Sequence, residues 1–94
     1  MDKTTIIAIL IERGYKESNA RRIAEDLQHL SAPLDVMFRK WVDSGETSDF
    51  AAHGYAVSVF VNDWKMKYPA ALLTMDWLLK EPETAINELK RGIR

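Results

Sequence analysis

Apolar residues return at helical spacing along almost the whole chain. The most regular stripe is Ala20, Ile23, Ala24, Leu27 and Leu30, opposed by Arg21, Arg22, Glu25, Gln28 and His29. It predicts a helix that begins after Ser18, whose hydroxyl suits the N-cap. Arg21 with Glu25 and Arg22 with Asp26 are one turn apart, spaced for weak ion pairs on the outer face. Upstream, Ile6, Ile7, Leu10 and Ile11 form the inward face of a helix over 3–13, capped by Asp2 and stopped by Gly14. Downstream, Ser31 is a cap followed by an early proline, Pro33. There Leu34, Met37, Phe38, Trp41 and Val42 form one apolar face, with Asp35, Arg39 and Lys40 opposite. Residues 43–49 are a run of turn formers and divide the chain.

The second half begins less clearly. Val57, Val59, Phe60 and Val61 favour strands, but Val57, Phe60, Val61 and Trp64 keep helical spacing and the strand alternation fails at Phe60. The spacing predicts a helix over 55–66, with a short turn at 50–53 before it. The next stretch, 69–80, is bracketed by Pro69 and Pro82. Pro69 fits a first helical turn, and Pro82 pushes Glu81 out of the helical region. Between them apolar residues go almost all the way round: Ala70, Leu73 and Trp77 on one side, Leu72, Met75 and Leu79 on another, Ala71 and Leu78 on a third. Asp76 and Lys80 are the main polar strip. A helix apolar on all sides is normally buried. A last helix over 82–91 turns Ala85, Ile86, Leu89 and Ile93 inward and stops at Gly92. The expected fold is all-α: a compact bundle of five or six short helices around the central helix 69–80. It forms one domain over 1–94, with three-helix segments at 1–43 and 50–94.

Two spacings suggest a degenerate tandem helical hairpin. Pro33 to Trp41 repeats as Pro69 to Trp77, and Gly14-Tyr15 repeats as Gly54-Tyr55. Two units are too few for a solenoid, so a repeat would still build a compact domain.

Composition removes several chemistries. The chain has no cysteine, so thiol catalysis, thiolate metal sites and disulfides are excluded. A net charge of -1 and a pI near 6.1 give no global attraction to nucleic acid or anionic membrane. The apolar run 6–11 is followed at once by Glu12 and Arg13 and is too short to span a bilayer. It reads as part of a buried helix, and the expected location is the cytoplasm with no membrane contact. His29 stands one turn from Glu25 and His53 beside Gly54, short of the three or four convergent ligands a metal needs. In the loop 43–49 glycine falls at the third place from Asp43, not the sixth that an EF-hand requires. There is no Gly-x-Ser-x-Gly turn and no phosphate-binding glycine loop. Asp63 and Asp76 each precede a tryptophan, an arrangement better explained by polar strips than by acid–base chemistry. No enzymatic activity, cofactor or metal is expected.

Binding remains. The segment 6–42 resembles a ubiquitin-associated (UBA) domain: three short helices, the turn Arg13-Gly14-Tyr15 after the first, and Ala20, Ile23 and Ala24 in the second. The family usually has methionine where this chain has Arg13. By that resemblance the binding patch would be Gly14, Tyr15, Val36 and Lys40. Tyr15, Tyr55 and Tyr68 fall at helix boundaries, and Val59 and Met66 fall off the main face of the fourth predicted helix. Tyr55, Val59 and Met66 therefore join the candidate protein-binding surface. The expected role is a non-catalytic intracellular interaction domain that binds another protein or itself. The alternative is a nucleic-acid-binding regulator: the helices flanking Gly14 as a helix-turn-helix-like unit, with Arg13, Lys16, Arg21 and Arg22 as contacts.

Overall fold

A computed structural model of the protein describes residues 2–44 and 49–92. Residues 45–48 of the predicted loop, and Ile93, predicted to face inward, lie outside the described residues. The elements run α1 (Lys3–Glu12), α2 (Glu17–Leu27), α3 (Ala32–Ser44), β1 (Ala51–Ala52), β2 (Tyr55–Ala56), α4 (Val57–Asn62), α5 (Tyr68–Lys80) and α6 (Pro82–Lys90). The fold is all-α, with six helices and a two-strand hairpin among the described residues.

α5 is the centre. It contacts α2, α3, α4, α6 and β1. Its Ala71, Leu72, Met75 and Leu78 are fully buried, and Tyr68 and Pro69 are buried at its start. The predicted symmetry around it is broken at Leu79, which is 39% exposed. Asp76, expected on a solvated strip, is only 6% exposed. One cluster joins this helix to Ile6, Leu10, Ala20, Ala24, Leu27, Leu34, Phe38, Phe60, Ala85 and Leu89. Residues from both halves of the chain therefore share the core.

The two ends of α1 follow local chemistry. The Asp2 carboxylate accepts the Thr5 N–H at 2.8 Å and caps α1. Gly14 ends it with φ at +102°, a conformation a side chain would strain. Ile11, predicted inward, is 43% exposed; Ile6 and Leu10 are buried in the core and Ile7 packs at its edge. α2 starts earlier than predicted: Lys16 is its N-cap, with no side-chain cap, and Ser18 lies inside the first turn.

The hairpin is the main departure. A fourth helix was expected to begin at Tyr55, but Tyr55–Ala56 pairs antiparallel with Ala51–Ala52. His53 and Gly54 both have positive φ, 52° and 85°, as the two central residues of a type I′ turn require. α4 then opens as Val57 N–H donates to the Phe50 carbonyl at 2.8 Å and Ser58 N–H to Asp49 Oδ1 at 3.3 Å. It ends at Asn62, four residues short of the predicted Met66, and Lys65 beyond it holds a positive φ of 60°. The twofold spacing holds at one landmark and is lost at the other. α3 and α5 are both 13 residues long, with proline second and tryptophan tenth. Gly14, by contrast, ends a helix while Gly54 sits in the hairpin turn.

Candidate functional site

The candidate site is a groove between α2 and α5. It has a volume of about 420 Å³. Tyr15, Ile23, Ala70 and Leu73 form its apolar lining, and each is half-buried. Asn19, Arg22, Asp26 and Lys67 line it from the rim and are exposed.

The walls come from elementary packing. Ala20, Ala24 and Leu27 turn to the core, which leaves Ile23 at the edge of that stripe and Arg22 and Asp26 beyond it. On α5 the core takes Ala71, Leu72, Met75 and Leu78, and the side holding Ala70, Leu73 and Trp77 stays half-buried. Tyr15 is held by the turn after α1, where its N–H donates to the Leu10 carbonyl at 3.0 Å. Burial pushes its phenol pKa up to about 12, so the groove presents a neutral hydroxyl at physiological pH.

Beyond the groove, the turn after α2 is tied to α5. The Asp76 carboxylate accepts the Ser31 N–H at 2.9 Å and pairs with Lys80 Nζ at 2.8 Å. Lys80 also donates to the His29 carbonyl at 2.8 Å. Burial works to raise the Asp76 pKa, but the Lys80 ammonium and the Ser31 amide outweigh it and hold the carboxyl below its ordinary range. The turn that follows α2 is therefore fastened to the C-terminal half of α5.

The predicted site residues separate. Tyr15 and Arg22 enter the groove. Val36, 51% exposed, and Lys40 lie one turn apart on the outer face of α3 and do not line it. Gly14 is exposed beside Tyr15. Tyr55 stacks on Phe60 with centroids 5.8 Å apart, and the Met66 sulfur accepts from the Thr74 hydroxyl at 3.6 Å. Tyr55 and Met66 pack against the core, and Val59 is half-buried. In the basic cluster, the Arg13 guanidinium lies 4.5 Å from the Trp41 ring centroid and donates to the Trp41 and Val42 carbonyls at 3.3 and 2.8 Å. It serves as a C-terminal cap for α3. Arg21 pairs with Glu17 at 3.5 Å, not with Glu25, which Lys3 takes at 3.4 Å. Arg22 and Asp26, spaced for a pair, make none among the described residues, and Lys16 is exposed.

The groove residues that sequence reasoning missed are Asn19, Ile23 and Asp26 on α2 and Lys67, Ala70 and Leu73 from α5 and its N-cap. The signal for the last two was the side 70, 73, 77 of a helix assigned wholly to the core. A second groove of about 380 Å³, beside Ile6, Leu30 and Phe38, carries Asp35 and Arg39, which satisfy each other at 2.9 Å. Among the described residues, no group of three or more His, Asp or Glu could hold a metal ion, and no helix is long and apolar enough to cross a membrane.

No protein-family model matches the chain, and no curated protein and no solved structure matches it. The likeness of 6–42 to UBA domains rests on the residues quoted for it alone.

Proposed function

We propose that the protein is a non-catalytic interaction domain of the cytoplasm that holds another protein or a second copy of itself in the groove between α2 and α5. The observation that carries this reading is the pairing of a half-buried apolar lining with unpaired charges at the rim. Protein interfaces are built this way, with an apolar centre enriched in tyrosine and a polar border. Ala70→Gln tests it by filling the groove from the first turn of α5 with a residue that helices accept. A partner retained by the wild type and lost by the folded variant supports the reading, as does concentration-dependent mass that the variant abolishes. Strictly monomeric behaviour with no protein retained from the native host overturns it.

A second reading is nucleic-acid binding, favoured by Lys67 joining Arg22 at one groove. Salt-dependent gel retardation by DNA or RNA at low ionic strength would support it, and no retardation there would remove it.

A further inference from the structure

The geometry points to an acidic amphipathic helix as the occupant of the α2–α5 groove, an inference that rests on the interaction reading above. The apolar positions of α5 that the core leaves half-covered are Ala70, Leu73 and Trp77. Ala70 and Leu73, one turn apart, line the groove, and Trp77 continues the same stripe beyond it. A partner helix laid along that stripe meets it with apolar side chains of the same period, the usual pattern of a helix seated in a groove. Ala70 is small and allows close approach beside the bulkier Leu73.

Charge selects the partner. Arg22 stands on the α2 wall and Lys67 at the start of the α5 wall, both exposed and without an ion pair among the described residues. Asp26 lies one turn beyond Arg22 on the same wall. The chain as a whole carries a net charge of -1, whereas two of the three charged residues that line the groove are cations. A partner that seats apolar residues on Tyr15, Ile23 and Leu73 is thus drawn to place acidic residues against Arg22 and Lys67, while Asp26 repels the opposite register.

The test is selection of the full chain against a displayed library of random peptides about sixteen residues long, enough for some four helical turns. Selected peptides are then measured by fluorescence anisotropy against the wild type and an Arg22→Glu, Lys67→Glu double variant with an unchanged thermal midpoint. The expected result is enrichment of glutamate or aspartate within one turn of apolar anchors. Binding should weaken at least about tenfold in the variant, as for loss of charge pairs worth 1.4 kcal/mol. Selected peptides without acids, or with equal affinity for the variant, would overturn the acidic partner yet leave the interaction reading standing. No enriched peptide, together with failure of the Ala70→Gln capture experiment, would remove both. Two other occupants are read in the same variant, and either would reassign the groove. One is a single-stranded oligonucleotide whose binding the charge reversals abolish. The other is self-association that they abolish.

Discussion

The Asp76 carboxylate receives the backbone N–H of Ser31 at 2.9 Å, across 45 residues of sequence. With Lys80 bound to the same carboxylate and to the His29 carbonyl, the turn between α2 and α3 is fastened to α5 by polar contacts at the edge of the apolar core. The acid takes the N–H of the residue before α3, as the glutamate of a capping box does, but from a different helix.

Removing that acid should be costly. Asp76→Ala leaves a buried amide donor without a partner and should lower unfolding stability by about 1–3 kcal/mol in chemical denaturation. The sign of the pH effect follows from its depressed pKa. The carboxylate contributes stability above its unfolded value of 3.8 and loses it as pH falls through the lower folded value. Wild-type stability should therefore drop more steeply than that of Asp76→Asn below about pH 4. Parallel acid titrations of the two proteins would refute this.

The two tryptophans at equivalent places in α3 and α5 should differ. Trp41 is 8% exposed and packs on Phe38 and Tyr68 with centroids 5.5 and 5.3 Å away. Trp77 is half-buried. Trp41→Ala should cost about 3–5 kcal/mol and Trp77→Ala clearly less. Thermal unfolding of the two variants ranks them, and the reverse order would contradict the packing described.

Arg13 is committed to structure, not to a ligand. Arg13→Ala should cost roughly 1 kcal/mol through loss of the Trp41 face and the α3 carbonyls. Arg13→Lys should recover only part, because an ammonium cannot spread over the ring while donating a planar fork. Arg22→Ala, exposed and unpaired, should stay within ~0.5 kcal/mol of wild type. Equal effects at the two arginines would undo the division.

The hairpin turn makes a local prediction. Gly54→Ala places a Cβ at a φ of 85° and should cost about 1–2 kcal/mol. His53→Asn should stabilise slightly, since asparagine tolerates the left-handed region better than histidine. Denaturation midpoints moving in opposite directions would confirm the I′ geometry.

The helices were legible where the sequence carries its own boundaries. Two prolines delimit α5, Asp2 and Gly14 delimit α1, and the stripe from Ala20 to Leu27 points the same way wherever α2 begins. The hairpin was not legible because its strands have two residues each, too short for alternation, and the valines that follow keep helical spacing. Gly54 was matched to Gly14, which hid its place in a turn. At the groove, Tyr15 and Arg22 stood out for unrelated reasons, an aromatic after a glycine and a basic cluster. What joins them to Lys67 and Leu73 is the Asp76 tie, a pairing no local pattern encodes. The contact of Arg13 with Trp41 was hidden for the same reason, since 28 residues separate them.

The 45-residue reach of Asp76 also has a bearing on synthesis. During translation α1, α2 and α3 are made before the acid that tethers Ser31 exists. The emerging N-terminal segment must wait, with its α2–α3 turn open to solvent or to a chaperone, until α5 leaves the ribosome. Premature termination between α3 and α5 would release a chain that cannot complete its own core, and quality control would have an early signal to destroy it.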